Sequence, residues 1–420
     1  MDSLKRSLRP LIPKFVLSLY HRALAYLGDL YYEHPSRALT VVAVTGTKGK
    51  SSTTEFVNAI FEASGRKTAL LNSIRIKVGG ESEPNTMRMS MPGRFFIQRF
   101  LAEARDAKCD VAILEMTSEG ARQFRHRDIE LDALIFTNLA PEHIESHGSY
   151  QAYADAKFEI GKQLERSQKR PRFIIANAED AQSARYLALP LEGRISFSLA
   201  SAVPAHASDR GGYFTLEGTR IEASLPGEFS LKNALAASLL ARCFGIDTAT
   251  IARGVASLKT IAGRAERVEC GQDFAVVVDY AHTPDSLQAL YDAYGSSRKI
   301  CVMGATGGGR DTWKRPVMGK IADERCDKVI LTNEDPYDED PRDIVQALLG
   351  GMKRTPEIVM DRREAIRRGI SLANTGDAVL ITGKGTDPSI CGPKGTSIPW
   401  SDAGVAREEL EKLLGSGKQL

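Results

Sequence analysis

A short apolar strand running into a glycine-bearing loop and then a helix constrains this 420-residue chain more than any other feature. The stretch is VVAVTGTKGKSSTTEF, Val41 to Phe56. Val41 to Val44 is apolar, β-branched and bounded by a turn signal, as a buried parallel strand should be. Gly46 and Gly49 let the backbone curl, so that successive N–H groups along Gly46, Thr47, Lys48, Gly49, Lys50, Ser51 and Ser52 can face phosphate oxygens. Lys50 is expected to reach the β- and γ-phosphates of a nucleoside triphosphate, and the hydroxyl of Ser51 or Ser52 to ligate Mg²⁺. The helix starting there brings its positive dipole end to the same anion. One position departs from the strict phosphate-loop pattern: Val44 stands where a glycine is usual. The competing reading is a serine-capped turn that binds nothing.

The chain is long enough for two or three domains with a sizeable core. A net charge of +3 is too small to imply nucleic acid, so anionic substrates would need local basic clusters. The six cysteines (Cys109, Cys243, Cys270, Cys301, Cys326, Cys391) form no close pair and read as buried free thiols in a reducing, cytoplasmic setting. The opening MDSLKRSLRPLIPKFVLSLYHRALAYLGDLYY is basic and amphipathic, but charges and Pro13 interrupt it before it could span a bilayer. It reads as a terminal helix packed on its own domain, with peripheral contact to an anionic membrane surface as the alternative.

Strand-like and helix-like segments alternate, which predicts an α/β chain with mostly parallel sheet. Strands are expected near Val41–Val44, Thr68–Leu71, Val111–Glu115, Leu134–Asn138 and Phe173–Ala176, with helices starting near Ser51, Pro92, Tyr150 and Leu231. From about Ile195 to Leu225 the pattern suggests a small antiparallel sheet. A second alternating series begins at Phe274. Its strands are Phe274–Asp279, Ile300–Gly304, Val329–Thr332, Ile358–Met360 and Ala378–Thr382, with helices over Asp285–Tyr294, Ile344–Leu349 and Arg363–Leu372. The reading is a short helical segment over 1–38, a central P-loop-type ATP-binding domain over 39–262 and a Rossmann-like domain over 263–420.

Taken together, TGTKGKSS, LEMTSEG, FTNLAPEHIESHG, the helix around AKFEI, LPGEFSLKNALAA, IAGRAERVE, VVDYAHTPDSL, MGATGGGRDTWKRPVMG, TNEDPYDEDP, DRREAI and ITGKGTD occur in an order that closely resembles the Mur ligase family. The resemblance is nearest the branch that adds the third residue of the peptidoglycan stem peptide, and it runs from about Val41 to the C-terminus. It implies an ATP- and Mg²⁺-dependent ligase that phosphorylates a carboxylate and lets an amine attack the acyl phosphate. Glu115, ending an apolar strand where an open parallel sheet presents its ligand crevice, is implied to hold Mg²⁺. His143 would complete a second Mg²⁺ site, although imidazole is unusual for that ion. Lys157, by residues alone a solvated helix lysine, is implied to be carbamylated and to help hold Mg²⁺. Asn233, Arg264, Asp279 and His282 are implied to surround the nucleotide.

Acceptor contacts are expected from Ser90, Thr117, Gln123 and Arg125. Here the chain departs from its relatives. The family's paired threonines before a proline are replaced by Ser90 and Met91, and its Ser-His-Ala by Ser118-Glu119-Gly120. Only about forty residues precede the phosphate loop, against an N-terminal UDP-gripping domain of roughly a hundred residues in full-length members. The acceptor is therefore expected to be held differently, or not to be UDP-linked. The incoming amino acid would be read by Glu334, Asp335, Tyr337, Gly383 and Asp387. Tyr337 stands where diaminopimelate-adding members carry an arginine, and the surrounding acids, Asp338 included, favour a cationic side chain such as lysine or ornithine. The runs Arg362-Arg363 and Arg367-Arg368 read as a solvated helix face. A monomer is expected. The alternative function is a ligase like the folylpolyglutamate or poly-γ-glutamate synthases, acting on a non-UDP acceptor.

Overall fold

The structure, a computed structural model, describes residues 14–416. Lys5, Arg6 and Arg9 of the basic opening segment lie outside the described residues. Two compact units are built from the chain. The first takes the described part of Met1–Leu139, with Tyr150–Ser201 and Asn233–Gly254; the second takes Ala140–Ser149, Ala202–Lys232 and the described part of Val255–Leu420.

The first unit opens with α1 (Lys14–Tyr31), β1 (Thr40–Thr45), α2 (Lys50–Ala63) and β2 (Thr68–Leu71). A hairpin follows, β3 (Arg75–Val78) and β4 (Glu81–Pro84), then α3 (Arg94–Asp106), β5 (Val111–Glu115) and the short α4 (Ser118–Arg122). β6 (Ala133–Phe136), α5 (Tyr150–Arg166), β7 (Phe173–Asn177) and β8 (Gly193–Phe197) complete the sheet, whose order is β4-β3-β2-β5-β1-β6-β7-β8. All pairings from β2 to β8 are parallel; the hairpin closes one edge in antiparallel fashion. The central strands are buried along their whole length, as helices on both faces require. Val44 pairs with Glu115 and Thr45 with Phe136, so β1, β5 and β6 finish side by side. The sequence places residues from Ile195 onward in a separate antiparallel sheet, but β8 instead extends the parallel sheet. Val44 is a fully buried strand residue here, and the loop turn begins only at Gly46. That is why glycine is not needed at position 44.

α1 packs on α3, with the Cα of Gly28 facing Gln98 and Phe95, so the terminal helix docks on its own unit. Its other side leaves Val16, Leu19, Tyr20, Tyr26, Leu27, Leu30 and Tyr31 exposed. Among the described residues no helix is long and apolar enough to cross a membrane.

The antiparallel sheet of the second unit is β9 (His206–Ser208), β10 (Gly211–Leu216) and β11 (Thr219–Ala223). α6 (Gly227–Cys243) follows, and from Asn233 onward it belongs to the first unit. The second alternating series then runs β12 (Glu266–Arg267), β13 (Ala275–Asp279), α7 (Pro284–Ala293), β14 (Lys299–Met303) and α8 (Lys314–Arg325). It continues with β15 (Lys328–Leu331), α9 (Pro341–Leu349), β16 (Glu357–Ile358), α10 (Arg362–Ser371), β17 (Ala378–Thr382) and α11 (Asp402–Ser416). The sheet order is β12-β13-β17-β14-β15-β16, parallel except for β12. Successive residues alternate between its faces: Val277, Cys301, Met303 and Leu380 serve one core, Val276, Val278, Ile300 and Val302 the other. Thr283 and Pro284 start α7 through a capping box with Ser286, the chemistry a Thr-Pro pair favours.

Two sequence expectations are corrected in this unit. Cys301 in β14 and Cys326 just after α8 form a disulfide, because α8 carries the chain straight back to β15 at the side of β14. Thiol titration of the unfolded, unreduced protein is expected to find four thiols, the four free cysteines, and to find more only after reduction. Arg362 is not on a solvated face: it is buried, with a two-pronged ion pair to Asp402 at 2.8 and 2.6 Å. Arg367 and Arg368 are exposed, as expected.

Candidate active site

The phosphate loop is pinned from below by the residues after β6. Asn138 accepts the N–H of Thr47 on its carbonyl at 2.8 Å and the N–H of Lys48 on its side-chain oxygen at 2.9 Å. Thr137 donates its hydroxyl to the Lys48 carbonyl at 2.6 Å. Two glycines are demanded by this packing: a Cβ at Gly46 would collide with the Thr137 hydroxyl, and one at Gly49 with the Asn233 side chain, both at positive φ. Asn233, on α6, therefore braces the loop and also accepts the Thr53 hydroxyl at 3.2 Å. Lys50, the first residue of α2, folds its ammonium onto the Thr47 carbonyl at 2.9 Å. Ser52 lies beside Ser51 in the first turn of the same helix.

Lys157 is buried, not solvated. Tyr153, Ala154, Lys157, Phe158, Ile160, Gly161 and Leu164 form the inward face of α5 at helical spacing. Its ammonium donates to the Gly46 carbonyl at 2.6 Å and lies 4.9 Å over the Tyr153 ring, whose hydroxyl is 2.9 Å from that of Thr47. Thus Lys157 touches the phosphate loop itself.

Glu115 is the hub of the first unit's cluster. Its Oε2 accepts the Ser51 hydroxyl at 2.8 Å and the Ser73 N–H at 3.0 Å; its Oε1 accepts the Ser90 hydroxyl at 2.8 Å. The structure so brings together Ser51, Glu115 and Ser90, three residues picked from separate motifs. Ser73 was not among the residues picked from the sequence. The available signal was its place one turn beyond the end of a central parallel strand, β2, the same logic that singles out Glu115.

The departures near Ser90 form one compensating set. Met91 is buried, accepts the Thr117 N–H on its sulfur at 3.2 Å, and occupies the space a Cβ on Gly120 would need. A bulky side chain at 91 and the missing one at 120 are thus a single packing solution. Glu119, in place of the family's imidazole, accepts the Gln123 amide at 2.8 Å, and Gln123 accepts Arg125 at 2.7 Å. Arg125 also donates to the Met91 carbonyl. Thr117 caps α4 by accepting the Gly120 N–H at 3.1 Å.

In the second unit the loop bearing His143 is held by Asp311, which accepts the N–H groups of His143 and Ile144 at 2.7 and 3.1 Å. His143 has a left-handed backbone, φ 58°, a strained conformation for a side-chain-bearing residue. His282 bonds the Tyr280 carbonyl through Nδ1 at 2.6 Å and Glu142 through Nε2 at 3.0 Å. Asp279 clips two motifs together by accepting the N–H groups of Ala265 and Ala281, each at 2.6 Å. Arg264 stacks 4.6 Å over the Tyr280 ring, and Glu266 accepts the Gly263 N–H at 2.7 Å.

The acids expected to make a negative field are already engaged. Asp335 pairs with the fully buried ammonium of Lys384 at 2.6 Å and accepts the Cys391 N–H at 2.6 Å. Lys384 lies 3.4 Å from Asp387 as well. Glu334 is buried against Gly383, whose missing Cβ makes the space, and accepts the Thr306 hydroxyl at 2.6 Å. Burial pushes its carboxyl above the usual range, despite the opposing pull of Arg362, Thr306 and Lys384. Asp338 accepts the Lys394 N–H at 2.7 Å. Over Tyr337, meanwhile, lies the exposed guanidinium of Arg310, 5.1 Å from the ring centre. The premise of an open acidic pocket is corrected: the sequence shows the acids but not Lys384 and Arg310, which come from distant motifs.

A glycine-bearing strand-to-helix loop tied through Ser51 to a strand-end carboxylate that also holds Ser90, on a parallel sheet, is a build that suits an ATP-using ligase. Residues 44–241 match the Mur ligase middle domain, and residues 263–385 the Mur ligase glutamate ligase domain. The chain is 36% identical over 379 residues to the UDP-N-acetylmuramoyl-L-alanyl-D-glutamate–2,6-diaminopimelate ligase of Syntrophomonas wolfei, across 86% of this chain and 76% of that protein. It is 33% identical over 426 residues to the protein of the same name from Geobacillus kaustophilus, across 96% and 86%. A solved diaminopimelate ligase of this type superposes with a TM-score of 0.64 at 25% identity, covering 94% of this chain and 83% of its own. Mycobacterium tuberculosis folylpolyglutamate synthase complexed with ADP shares the fold, with a TM-score of 0.69 at 18% identity over 89% and 97%. This chain belongs to the Mur ligase family. It is an ATP-dependent, ADP-forming amide ligase of the branch to which the two bacterial relatives belong.

Proposed function

We propose that the chain joins an amino acid to the carboxylate of a muramoyl-peptide acceptor in cytoplasmic peptidoglycan precursor synthesis, through an acyl phosphate. The observation that carries this reading is the Glu115 hub, where the phosphate loop (Ser51) and the acceptor loop (Ser90) share one carboxylate. Functionally, residues 39–262 would bind ATP and residues 263–420 the incoming amino acid, with the chain acting as a monomer.

Hydroxyl and carboxylate oxygens at Ser51 and Glu115 fit the hard-oxygen preference of Mg²⁺, which fills its remaining positions with water and phosphate. When bound, such an ion neutralises charge on the transferring phosphoryl group. Ser51 and Glu115 would hold it; Lys157, if carbamylated, and His143 are the further candidates. Lys50 would release the Thr47 carbonyl to meet the phosphates, while Gly46 to Ser52 supply backbone donors. Asn233, Arg264, Asp279 and His282 are kept as nucleotide-side residues, with Asn233 and Asp279 acting through the loops they brace.

For the amino acid, the pairing of Asp335 with Lys384 and the guanidinium of Arg310 favour a substrate with a distal carboxylate beside its amine, as 2,6-diaminopimelate in the relatives' names has. The test is a mass-spectrometric screen of UDP-linked and lipid-linked muramoyl-dipeptides, and of folate and poly-γ-glutamate acceptors, against the common amino acids, diaminopimelate and ornithine. Product only with a muramoyl-peptide supports the reading. Product only with another acceptor overturns it. A preference for lysine over diaminopimelate would restore the expectation drawn from the acids alone.

Lys157→Ala is expected to lose activity and regain part of it with added short carboxylic acids, which can occupy the vacated anionic position. Absence of rescue, with an unmodified lysine in the intact mass under bicarbonate, would refute carbamylation. The apolar exposed side of α1 supports the peripheral-contact reading; flotation with anionic but not neutral vesicles is the check.

A further inference from the structure

Arg94 is a poorly placed cation unless something anionic joins it. It is the first residue of α3, whose N-cap, Gly93, offers no side-chain bond and whose first turn holds no acid. A positive charge at that end opposes the helix dipole. Its Nε and Nη2 are buried and without a hydrogen-bond partner, and so is Nε of Arg125. Burial lowers the Arg94 guanidinium to about 10, and repulsion from Arg125 adds to the shift. Arg125 is pulled down by burial as well. Two mutually repelling guanidiniums with three unpaired buried nitrogens would be costly in a protein that asked nothing of them.

Their position names the customer. Arg94 lies four residues after Ser90, which bonds Glu115, and Arg125 donates to the carbonyl of Met91 in the same loop. Four residues span at most about 14 Å of extended chain, so an anion held there is within reach of the centre where the acceptor carboxylate would be activated. Arginine forks suit carboxylate and phosphate oxygens alike.

We propose that Arg94 is a specificity-determining residue that, together with Arg125, forms a two-guanidinium site for an oxyanion group of the acceptor. This rests on the muramoyl-peptide reading above, and Arg94 is the part of it that replaces the hydroxyl lost at Met91. The oxyanion is either a non-reacting carboxylate of the acceptor peptide or its diphosphate.

Steady-state kinetics of Arg94→Ala and Arg94→Lys test it. The alanine variant is expected to raise the acceptor KM about tenfold or more, with the KM values for ATP and amino acid within about twofold; the lysine variant should recover part of the loss. An acceptor with its non-reacting carboxylate amidated separates the two sources. If the carboxylate is bound, the wild type loses as much on amidation as on Arg94→Ala, and the two losses do not add. If the diphosphate is bound, they add, and Arg94→Ala instead abolishes inhibition by pyrophosphate. An unchanged acceptor KM, or equal rises for all three substrates, overturns the proposal. Thermal shift keeps the inference separate from the functional reading: glutarate or pyrophosphate should raise the melting temperature of the wild type and not of Arg94→Ala. Binding without turnover of any muramoyl-peptide would sink the functional reading while leaving the anion site standing. Absence of both anion binding and an acceptor effect would sink the site itself.

Discussion

Replacing Lys50 by alanine is expected to reduce ATP-dependent ligation by about a hundredfold or more, the usual cost of one missing electrostatic clamp on a developing charge. The ammonium sits at the first position of α2, directly above the loop whose glycines admit the close approach of phosphate. It donates to the Thr47 carbonyl at 2.9 Å, a neutral acceptor that phosphate oxygens could replace. ADP release and product formation, with circular dichroism as the control, measure the effect. A Lys50→Ala enzyme that keeps most of its activity would refute the phosphate-loop assignment.

How much of this was legible beforehand depended on whether a residue's role is local. The central strands could be read to within a residue or two, because a parallel strand buried on both faces is an uninterrupted apolar run. Glu115 could be singled out because it ends such a strand, and Lys50 and Ser51 because they open the helix that follows one across a glycine-bearing turn. α8 was missed: KRPVMGKIADER is polar and carries a proline, and its buried face includes Lys314, Arg315 and Asp323. The β3–β4 hairpin was also missed, although Gly79-Gly80 marks its turn. Lys157 looked solvated because only the packing of α5 tells which side of that helix faces the loop. The acids near Tyr337 looked free because their partners, Lys384 and Arg310, lie far away in sequence. Position matters within doublets too: neighbouring helix residues point about 100° apart, so Arg362 turns inward while Arg363 reaches the exposed Glu408 and the buried Glu409 on α11.

That inward turn leads to the largest stability effect expected. Arg362→Ala should destabilise the second unit by about 3–5 kcal/mol, the range for removing one partner of a buried ion pair. The guanidinium is 1% exposed and Asp402 not at all, so neither charge has water to fall back on. Arg362 also donates to the Thr382 carbonyl at 2.8 Å and the Asn333 carbonyl at 3.2 Å, tying the ends of β17 and β15 to the start of α11. Its loss would leave Asp402 with the Trp400 indole, at 2.7 Å, as its side-chain donor. Glu334, the neighbour of Asn333, would lose one of the cations that hold its carboxyl down. Urea unfolding followed by tryptophan fluorescence should therefore show a lower midpoint. Replacing both partners at once, as in Arg362→Met with Asp402→Leu, should cost less than either single change, because no buried charge is then left unpaired. If Arg362→Ala unfolds at the wild-type midpoint, the ion pair is not buried in solution and the placement of α11 against β17 is wrong.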